Sequence, residues 1–269
     1  MKKELALVYL VAGISSRFGG KIKSFVKITP RITLIELSLA QALKYDFSKI
    51  VFVVGNKTEK AFKEKFGSSY KSAPVFYALQ KYNKKNRDRP WGTGDALCSA
   101  KPLLKKGFVI CNGDDIYGSN SFKTLVEHLK KSSEEATISY KLSHVLPEKG
   151  VVNRGIIKAE KGYVKNIKEV FNIKKRDLKA AKRKPGDLCS MGIFALHSNT
   201  LKFLNQEAKK FKKKHKGDRK IEFLLPNELS KLIKKRKIKM KNYPAIDRWV
   251  GVTNPGDEKK AREFIKKHY

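Results

Sequence analysis

The chain has 269 residues, 41% of them hydrophobic, and carries 61 Lys+Arg against 25 Asp+Glu for a formal net charge of +36. This length and apolar content suffice for a large α/β domain with its own core, and no run of eighteen apolar residues marks a transmembrane helix. The three cysteines are widely spaced, which excludes a disulfide framework or a cysteine metal cluster, and we expect a cytoplasmic protein.

The excess of lysine indicates affinity for anions of any kind, from phosphorylated small molecules to nucleic acid. Lysines are spread along almost the whole chain, with the densest runs at 209–220 and 231–241. Such a spread is typical of a solvated surface, so nucleic acid is a permitted partner but not the favoured one. No feature of the sequence indicates the oligomeric state.

Strands and helices alternate in the first half of the chain. Apolar runs rich in Val, Ile, Phe and Tyr predict buried strands at 4–12, 49–55, 74–79 and 107–112. Amphipathic patterns between them predict helices at 34–45, 57–66 and 93–105. This order is typical of a parallel sheet that is covered by helices on both faces.

The order of elements changes after residue 120. The pattern predicts a helix at 120–131, then strands at 136–144, 154–159, 163–168 and 189–196. It predicts further helices at 199–213, 222–235 and 256–268, and a strand at 237–243. The Lys161-Gly162 turn indicates antiparallel additions to the sheet, and the lysine-rich segment 174–186 is the best candidate for a mobile lid. No linker separates the halves, so we expect one domain, 1–269, with halves 1–120 and 121–269.

The loop after the first strand, VAGISSRFGGKIK, is small, polar and positive. Gly13 and the serines allow a tight turn whose backbone N–H groups face an anion, and Arg17 and Lys23 add fixed charge. The loop is neither a Walker A sequence nor G-x-G-x-x-G. Taken alone, it is equally compatible with an ordinary strand-to-helix turn.

The fourth strand ends in VICNGDDIYG, which places carboxylates where a divalent cation bridges to phosphate oxygens. Neighbouring side chains on a strand point to opposite faces, so one of Asp114 and Asp115 is expected to be the principal ligand. The alternative is a turn that is merely capped by an aspartate.

The third strand is followed by Gln80 and by the glycine-rich turn WGTGDAL, with Gly92 and Gly94. Glycines let a base or a phosphate approach the backbone, and the Gln80 amide matches a base edge. The hairpin sequence VVNRGIIKAEKGYVKNIKE offers polar groups to a pocket, and CSMGIFAL has a glycine inside a strand, which indicates a close backbone approach.

Taken in chain order, these motifs resemble those of the nucleotidyltransferases of GT-A-like fold, the sugar-1-phosphate nucleotidylyltransferase superfamily. The resemblance covers nearly the whole chain and includes the closing sequence WVGVTNPGD. A branch with WGTGHA and WFGVT motifs is the most similar. The resemblance implies an α/β fold, a Rossmann-like three-layer α/β/α sandwich with a mixed, mainly parallel sheet. It also makes 1–120 the nucleotide-binding half and 121–269 the acceptor-binding half.

The resemblance further implies an Mg²⁺-dependent enzyme that joins a nucleoside triphosphate to a phosphorylated small-molecule acceptor, a sugar-1-phosphate, and releases pyrophosphate. The catalytic residues that it implies are Arg17 and Lys23. The nucleotide-binding residues that it implies are Ala12, Gly13, Ser15, Ser16, Gln80, Gly92, Thr93 and Gly94. The acceptor-binding residues are Asn153, Gly155 and Glu169, and the metal ligands are Asp114 and, from the other side of the closing strand, Asp247.

The chain differs from the family pattern at three positions. Ser15 replaces a loop glycine, Asp95 replaces a histidine, and Gly251 stands where better-known branches have a second metal-binding aspartate. Two alternatives therefore stay open beside NDP-sugar synthesis, for which Gln80 slightly favours UTP or dTTP. One is cytidylyl or guanylyl transfer to another phosphorylated acceptor, and the other is a catalytically silent relative that binds nucleotides or nucleic acid.

Overall fold

The computed structural model describes residues 4–13, 22–148, 150–180, 182–252 and 257–268. The strands in these parts are β1 (Ala6–Leu10), β2 (Lys49–Val54), β3 (Ser69–Tyr70), β4 (Ala73–Leu79), β5 (Gly107–Asn112), β6 (Asp115–Ile116), β7 (Glu135–Lys141), β8 (Val152–Glu160), β9 (Tyr163–Ile173), β10 (Leu188–His197), β11 (Met240–Pro244) and β12 (Val250–Gly251). The helices are α1 (Leu34–Ala42), α2 (Glu59–Phe66), α3 (Thr93–Ser99), α4 (Ser119–Lys131), α5 (Ser198–Lys214), α6 (Leu225–Lys234) and α7 (Asp257–His268).

The main sheet has the strand order β3-β4-β2-β1-β5-β10-β7-β11-β9-β8, so both halves of the chain contribute to it. The four strands β4, β2, β1 and β5 are parallel, as the alternating pattern predicts. Beyond β5 the sheet is extended mostly by antiparallel pairs, and only β7 and β11 are parallel there. The sheet is therefore mixed, as expected, with its parallel character concentrated in the first half.

Helices cover both faces of the sheet, which gives the three-layer sandwich. One face packs Tyr9 and Phe52 against aromatic residues of α2, and α1 and α4 cover the same side. The other face packs Val8 and Val51 against α3, α5 and α6. Every residue of β1 from Ala6 to Tyr9 is buried, because a central parallel strand meets apolar layers on both sides. The order of elements is that expected from the sequence.

Some helix boundaries differ from those expected from the sequence near prolines, and three two-residue strands were not expected. The helix expected at 93–105 ends at Ser99 and continues only as a 3₁₀ turn, Lys101–Leu103, because Pro102 lacks the N–H that a longer α-helix needs. The expected helix 222–235 begins at Leu225, with Pro226 in its first turn. The two-residue strands β3, β6 and β12 are too short to leave a periodic pattern.

In the described part of the chain, no helix has the length and the apolar content that crossing a bilayer requires.

Candidate active site

Two cavities open where β1, β4 and β5 end, which is the edge of a parallel sheet that binds ligands in open α/β folds. Cavity A has a volume of about 660 Å³ and cavity B of about 250 Å³. The residues that line cavity A are Leu10, Ala12, Gly13, Gln80, Asp88, Arg89, Pro90, Gly92, Thr93, Ala96, Asn112, Asp114 and Glu222. The residues that line cavity B are Leu10, Lys23, Thr93, Asn112, Asp114, Asp115, Asn153, Arg154, Gly155, Glu169, Ser190, Met191, Gly192, Phe194, Leu224, Leu225, Pro226 and Trp249.

The two cavities share a wall, formed by Leu10, Thr93, Asn112 and Asp114. Most residues expected to contact a nucleotide line cavity A, and all three expected to contact an acceptor line cavity B. Ser15, Ser16 and Arg17 lie outside the described residues. The structure thus sorts two sets of predicted residues, far apart in sequence, into two adjoining spaces.

Gln80 is buried at the end of β4, and hydrogen bonds fix the orientation of its amide. Its Nε2 donates to the carbonyl oxygen of Gly92 (3.0 Å) and to Oδ2 of Asp95 (2.8 Å). Both partners accept only, so the nitrogen must be the atom that faces them. No described residue donates to Oε1, which leaves Gln80 with an acceptor for a ligand in cavity A.

Asp95, the negative charge at the position of a family histidine, is compensated within the protein. Its carboxylate forms a salt bridge with Lys212 of α5, which is 117 residues further along the chain. The side chain of Asp95 is 7% exposed and that of Lys212 is 37% exposed. The buried carboxylate of Asp95 is therefore paired with an ammonium group that reaches solvent. Asp95 thus adds no uncompensated negative charge beside cavity A.

Arg87 fastens the rim of cavity A to the segment before α6. Its guanidinium carbon lies 3.7 Å from the centre of the Trp91 ring. The same guanidinium donates to the carbonyl oxygens of Asp218 and Ile221. A stacked, multiply bonded arginine of this kind holds a loop in one position, because lysine cannot form the same fork of bonds.

Gly92 and Gly94, paired in the sequence argument, have different roles in the structure. Gly92 lines cavity A and has a φ of +95°, a backbone conformation that favours glycine. A Cβ on Gly94 would stand 2.7 Å from the ring of Phe223, and the Gly94 N–H donates to the Phe223 carbonyl oxygen. This glycine therefore lets α3 pack on Phe223, and its expected nucleotide contact stays a prediction. Thr93 lines both cavities and accepts the N–H of Leu225.

Two neighbouring carboxylates and one lysine line cavity B, and one of them, Asp114, also belongs to the shared wall. Asp114 is about one-third exposed, and its Oδ2 lies 3.9 Å from Nζ of Lys23. Desolvation by the cavity walls raises the pKa of Asp114, and the charge of Lys23 opposes that rise. Burial, and then the negative charge of Asp114, raise the pKa of Asp115 to about 7. Carboxylate oxygens of this kind are ligands that a divalent cation can use.

Asp247 is not part of this cluster. Its Oδ2 accepts the backbone N–H of Asn120 at 2.7 Å and its Oδ1 accepts Nδ2 of the same residue at 2.9 Å. A carboxylate at the start of α4 satisfies free N–H groups and meets the positive end of the helix dipole. Asp247 therefore caps a helix and does not line either cavity, and its expected metal ligation stays a prediction.

The acceptor residues expected from the hairpin lie together on β8 and β9. Gly155 is paired in register with Glu169 across the two strands, and a Cβ on Gly155 would stand 3.4 Å from Oε2 of Glu169. Burial raises the pKa of Glu169 to about 7, with the charge of Arg154 opposing the rise. Asn153 is more exposed and accepts the Asn172 N–H through its Oδ1.

Asn112 and Trp249 also line the site but were not singled out as site residues in the sequence. Asn112 ends β5 and donates to Oδ2 of Asp115 at 2.9 Å. The strand glycine of CSMGIFAL, Gly192, lies against it: a Cβ there would stand 2.8 Å from the Asn112 amide nitrogen. The expected close approach at Gly192 is thus confirmed. The residue that it approaches, Asn112, is the first residue of NGDD, and its sequence context gave little indication of this contact.

The fold of this chain is that of known nucleotidyltransferases. A solved inositol-1-phosphate CTP transferase from T. maritima superimposes with a TM-score of 0.69 at 15% identity, over 98% of this chain and 95% of that one. A UDP-glucose pyrophosphorylase complexed with UDP-glucose gives a TM-score of 0.69 at 17% identity, with coverages of 99% and 100%. HddC from Yersinia pseudotuberculosis, complexed with GMP-PN, gives 0.65 at 15% identity, with coverages of 97% and 99%.

The sequence itself matches the family model described as nucleotidyl transferase over residues 20–261. The chain therefore belongs to the nucleotidyl transferase family, and the resemblance drawn from its motifs is confirmed. A comparison with curated protein sequences finds no match.

Proposed function

We propose that this nucleotidyltransferase joins a nucleoside triphosphate to a sugar-1-phosphate, giving an NDP-sugar and pyrophosphate. The observation that carries the proposal is the wall shared by the two cavities. A triphosphate in cavity A and an acceptor phosphate in cavity B would meet on either side of Asp114, with Lys23 3.9 Å from its carboxylate. Two substrates bound next to each other in this way react in an effectively unimolecular step, because the entropy cost of bringing them together is already met by binding.

In the proposed reaction, an oxygen of the acceptor phosphate forms a bond to the α-phosphorus. The bond from that phosphorus to the oxygen bridging to the β-phosphorus breaks, and pyrophosphate leaves with the electron pair. Lys23 reduces the negative charge that develops at the α-phosphate, and Arg17 is proposed to contact the leaving phosphates. Charge stabilisation of this kind is the main contribution of a protein to phosphoryl-type transfer.

The residues at the shared wall fit a magnesium ion. Asp114 is partly exposed to both cavities, and oxygen ligands of this type are those that Mg²⁺ prefers. When bound, the ion would neutralise phosphate charge and orient the triphosphate. Asp114 would hold it, and Lys23 would supply the second positive charge beside the reacting phosphates.

The base is proposed to lie against Gln80. Its amide nitrogen is committed to Gly92 and Asp95, so the free Oε1 accepts one hydrogen bond from a base N–H. The N3–H of uracil or thymine meets this requirement, and the amino N–H groups of cytosine and guanine meet it too. We favour UTP or dTTP, and the cytidylyl and guanylyl alternatives are the competing outcomes of the assay.

The test is a pyrophosphate-release assay with purified protein. UTP, dTTP, CTP, GTP and ATP are each combined with a panel of sugar-1-phosphates and with inositol-1-phosphate, in Mg²⁺ and in EDTA. We expect release that needs Mg²⁺ and is fastest with UTP or dTTP. Fastest release with CTP or GTP would replace the proposed base, and no release with any pair would overturn the proposed function.

A matched pair of lysine variants connects the assay to the site. Lys23→Met removes the charge at the shared wall, whereas Lys60→Met removes an exposed lysine of α2. We expect the first to slow release by about 10²-fold, and the second to leave it unchanged.

A further inference from the structure

Asp115 has one carboxylate oxygen fixed by the protein and one left for a ligand. Oδ2 accepts Nδ2 of Asn112 at 2.9 Å and the hydroxyl of Tyr117 at 3.1 Å. No described residue donates to Oδ1. The residue is only 7% exposed, and the space that it lines is cavity B. Because Oδ1 has no donor among the described residues and lies on a side chain that lines cavity B, it is available to a ligand in that cavity.

Gly251 leaves the room that this oxygen occupies. The short strand β12 pairs with β6 so that Gly251 lies opposite Asp115. A Cβ on Gly251 would stand 2.3 Å from Oδ1 of Asp115, and also 2.3 Å from the ring of Trp249. Any side chain at 251 would therefore displace the carboxylate or the indole.

We propose that Asp115 is a second carboxylate ligand of the divalent cation held by Asp114, and that Gly251 is required because it leaves space for Oδ1. The inference rests on the proposed function, since the cation is the Mg²⁺ proposed there. Asp114 lines both cavities whereas Asp115 lines cavity B alone, so a cation held by both carboxylates would be bound from the cavity B side.

The neighbourhood of Asp115 suits a fixed ligand. Nδ2 of Asn112 donates to Oδ2, and the single proton of the Tyr117 hydroxyl is shared between Oδ2 (3.1 Å) and the Met191 carbonyl oxygen (2.9 Å). Such bonds to the non-ligating oxygen set the orientation of a carboxylate ligand, and their loss typically costs about 10–100-fold in metal affinity. The carboxylate therefore needs no rearrangement to present Oδ1 to a cation.

The proposal is tested by the binding of Mn²⁺, a spin probe for Mg²⁺ sites, to the full chain in the presence of a non-hydrolysable nucleoside triphosphate. Free Mn²⁺ is measured by electron paramagnetic resonance for the wild type and for Asp114→Asn, Asp115→Asn and Asp247→Asn. Asp46→Asn, which changes an exposed carboxylate paired with Lys130, is the control. Triphosphate alone gives the contribution of the nucleotide.

We expect Asp114→Asn and Asp115→Asn each to weaken Mn²⁺ binding about tenfold or more, and Asp247→Asn and Asp46→Asn to leave it within twofold. Gly251→Ala keeps both carboxylates but displaces one, and it should weaken binding severalfold. The proposal is overturned if Asp115→Asn binds Mn²⁺ as the wild type does, or if Asp247→Asn is the variant that loses it. Wild-type binding of Gly251→Ala would overturn the role of the glycine.

Folding and function are read separately from metal binding. Asparagine has the shape of aspartate, and circular dichroism and thermal melting of each variant confirm that it is folded before its Mn²⁺ affinity is compared. The measurement involves no turnover. Failure of the proposed function, seen as no pyrophosphate release from any substrate pair, is thus distinguishable from failure of the Asp115 assignment.

Discussion

The two cavities that meet at Asp114 are built in different ways. On the cavity A side, polar groups are paired within the protein: Gln80, which lines the cavity, donates to Asp95, and Asp95, which lines neither cavity, pairs with Lys212. In cavity B, the carboxylates of buried Asp115 and half-buried Glu169 have pKa values that are raised to about 7. The polar groups of cavity A are thus already hydrogen-bonded or paired and present a fixed surface to a ligand. Cavity B carries carboxylates whose charge a cation or a substrate can compensate.

This difference between the cavities indicates how a bound ligand would change the free energy of the protein in each of them. A preorganised pocket gains affinity because little reorganisation is needed. A pocket with unsatisfied charge gains stability when its ligand binds, because the ligand removes the cost of the buried charge. We therefore expect variants on the cavity A side to act mainly through packing and pairing, and variants on the cavity B side to act through charge.

The largest effect is expected at the shared wall. Asp114→Ala removes the carboxylate proposed to hold the metal, and should reduce pyrophosphate release by about 10³-fold or more with little change in the melting temperature. Steady-state kinetics and thermal melting measure the two quantities. Asp46→Ala, on an exposed and distant carboxylate, is the control and should retain full activity. An active Asp114→Ala protein contradicts the metal assignment.

On the cavity A side, the largest loss of stability is expected from a substitution at Gly94. Gly94→Ala places a Cβ against the Phe223 ring and the Phe223 carbonyl oxygen, at 2.7–2.9 Å. We expect a loss of about 2–3 kcal/mol in the free energy of unfolding, measured by urea denaturation. Gly217→Ala, where a Cβ meets nothing within 4 Å, is the matched control. Unchanged stability of Gly94→Ala would show that α3 shifts freely relative to Phe223.

The ion pair beneath cavity A gives a smaller effect. Lys212→Met leaves the buried Asp95 without its cation, and should cost about 1–2 kcal/mol of unfolding free energy, since the lysine is partly exposed and water replaces some of its contact. Lys213→Met, an exposed neighbour on α5, should cost nothing measurable. The double variant Asp95→Asn/Lys212→Met should recover most of the loss. If it does not, the two side chains are not coupled.

The smallest effect is a pH dependence on the cavity B side. Because the pKa of Glu169 is raised in the folded protein to about 7, its ionisation opposes folding. This penalty is absent below the ordinary pKa of 4.5, grows as the pH rises from 4.5 to about 7, and is constant above that. Glu169→Gln should therefore be about 1 kcal/mol more stable than the wild type at pH 8, and no more stable at pH 4.

Urea denaturation at both pH values measures this difference. Glu160→Gln, on an exposed glutamate of the same hairpin, is the control and should show no such change. Equal stability of Glu169→Gln and the wild type at pH 8 would mean that Glu169 is not desolvated in cavity B.

The order of strands and helices, the parallel first half of the sheet and the family could all be derived from the sequence. They follow from local hydrophobic periodicity and from short motifs in which neighbouring residues act together, such as WGTGDAL and NGDD. Those motifs also indicated which strand ends carry the site, because parallel strands all end at one edge of a sheet.

What only the tertiary structure decided are the contacts between distant segments. Asp247 caps α4, Lys212 neutralises Asp95, and Gly94 lies under Phe223. The two partners of each contact are more than 100 residues apart in the sequence, and the local sequence around one partner does not predict the other. Gly251 leaves space for Asp115 because two two-residue strands pair in one register, and the register of strands so short is set by the packing around them.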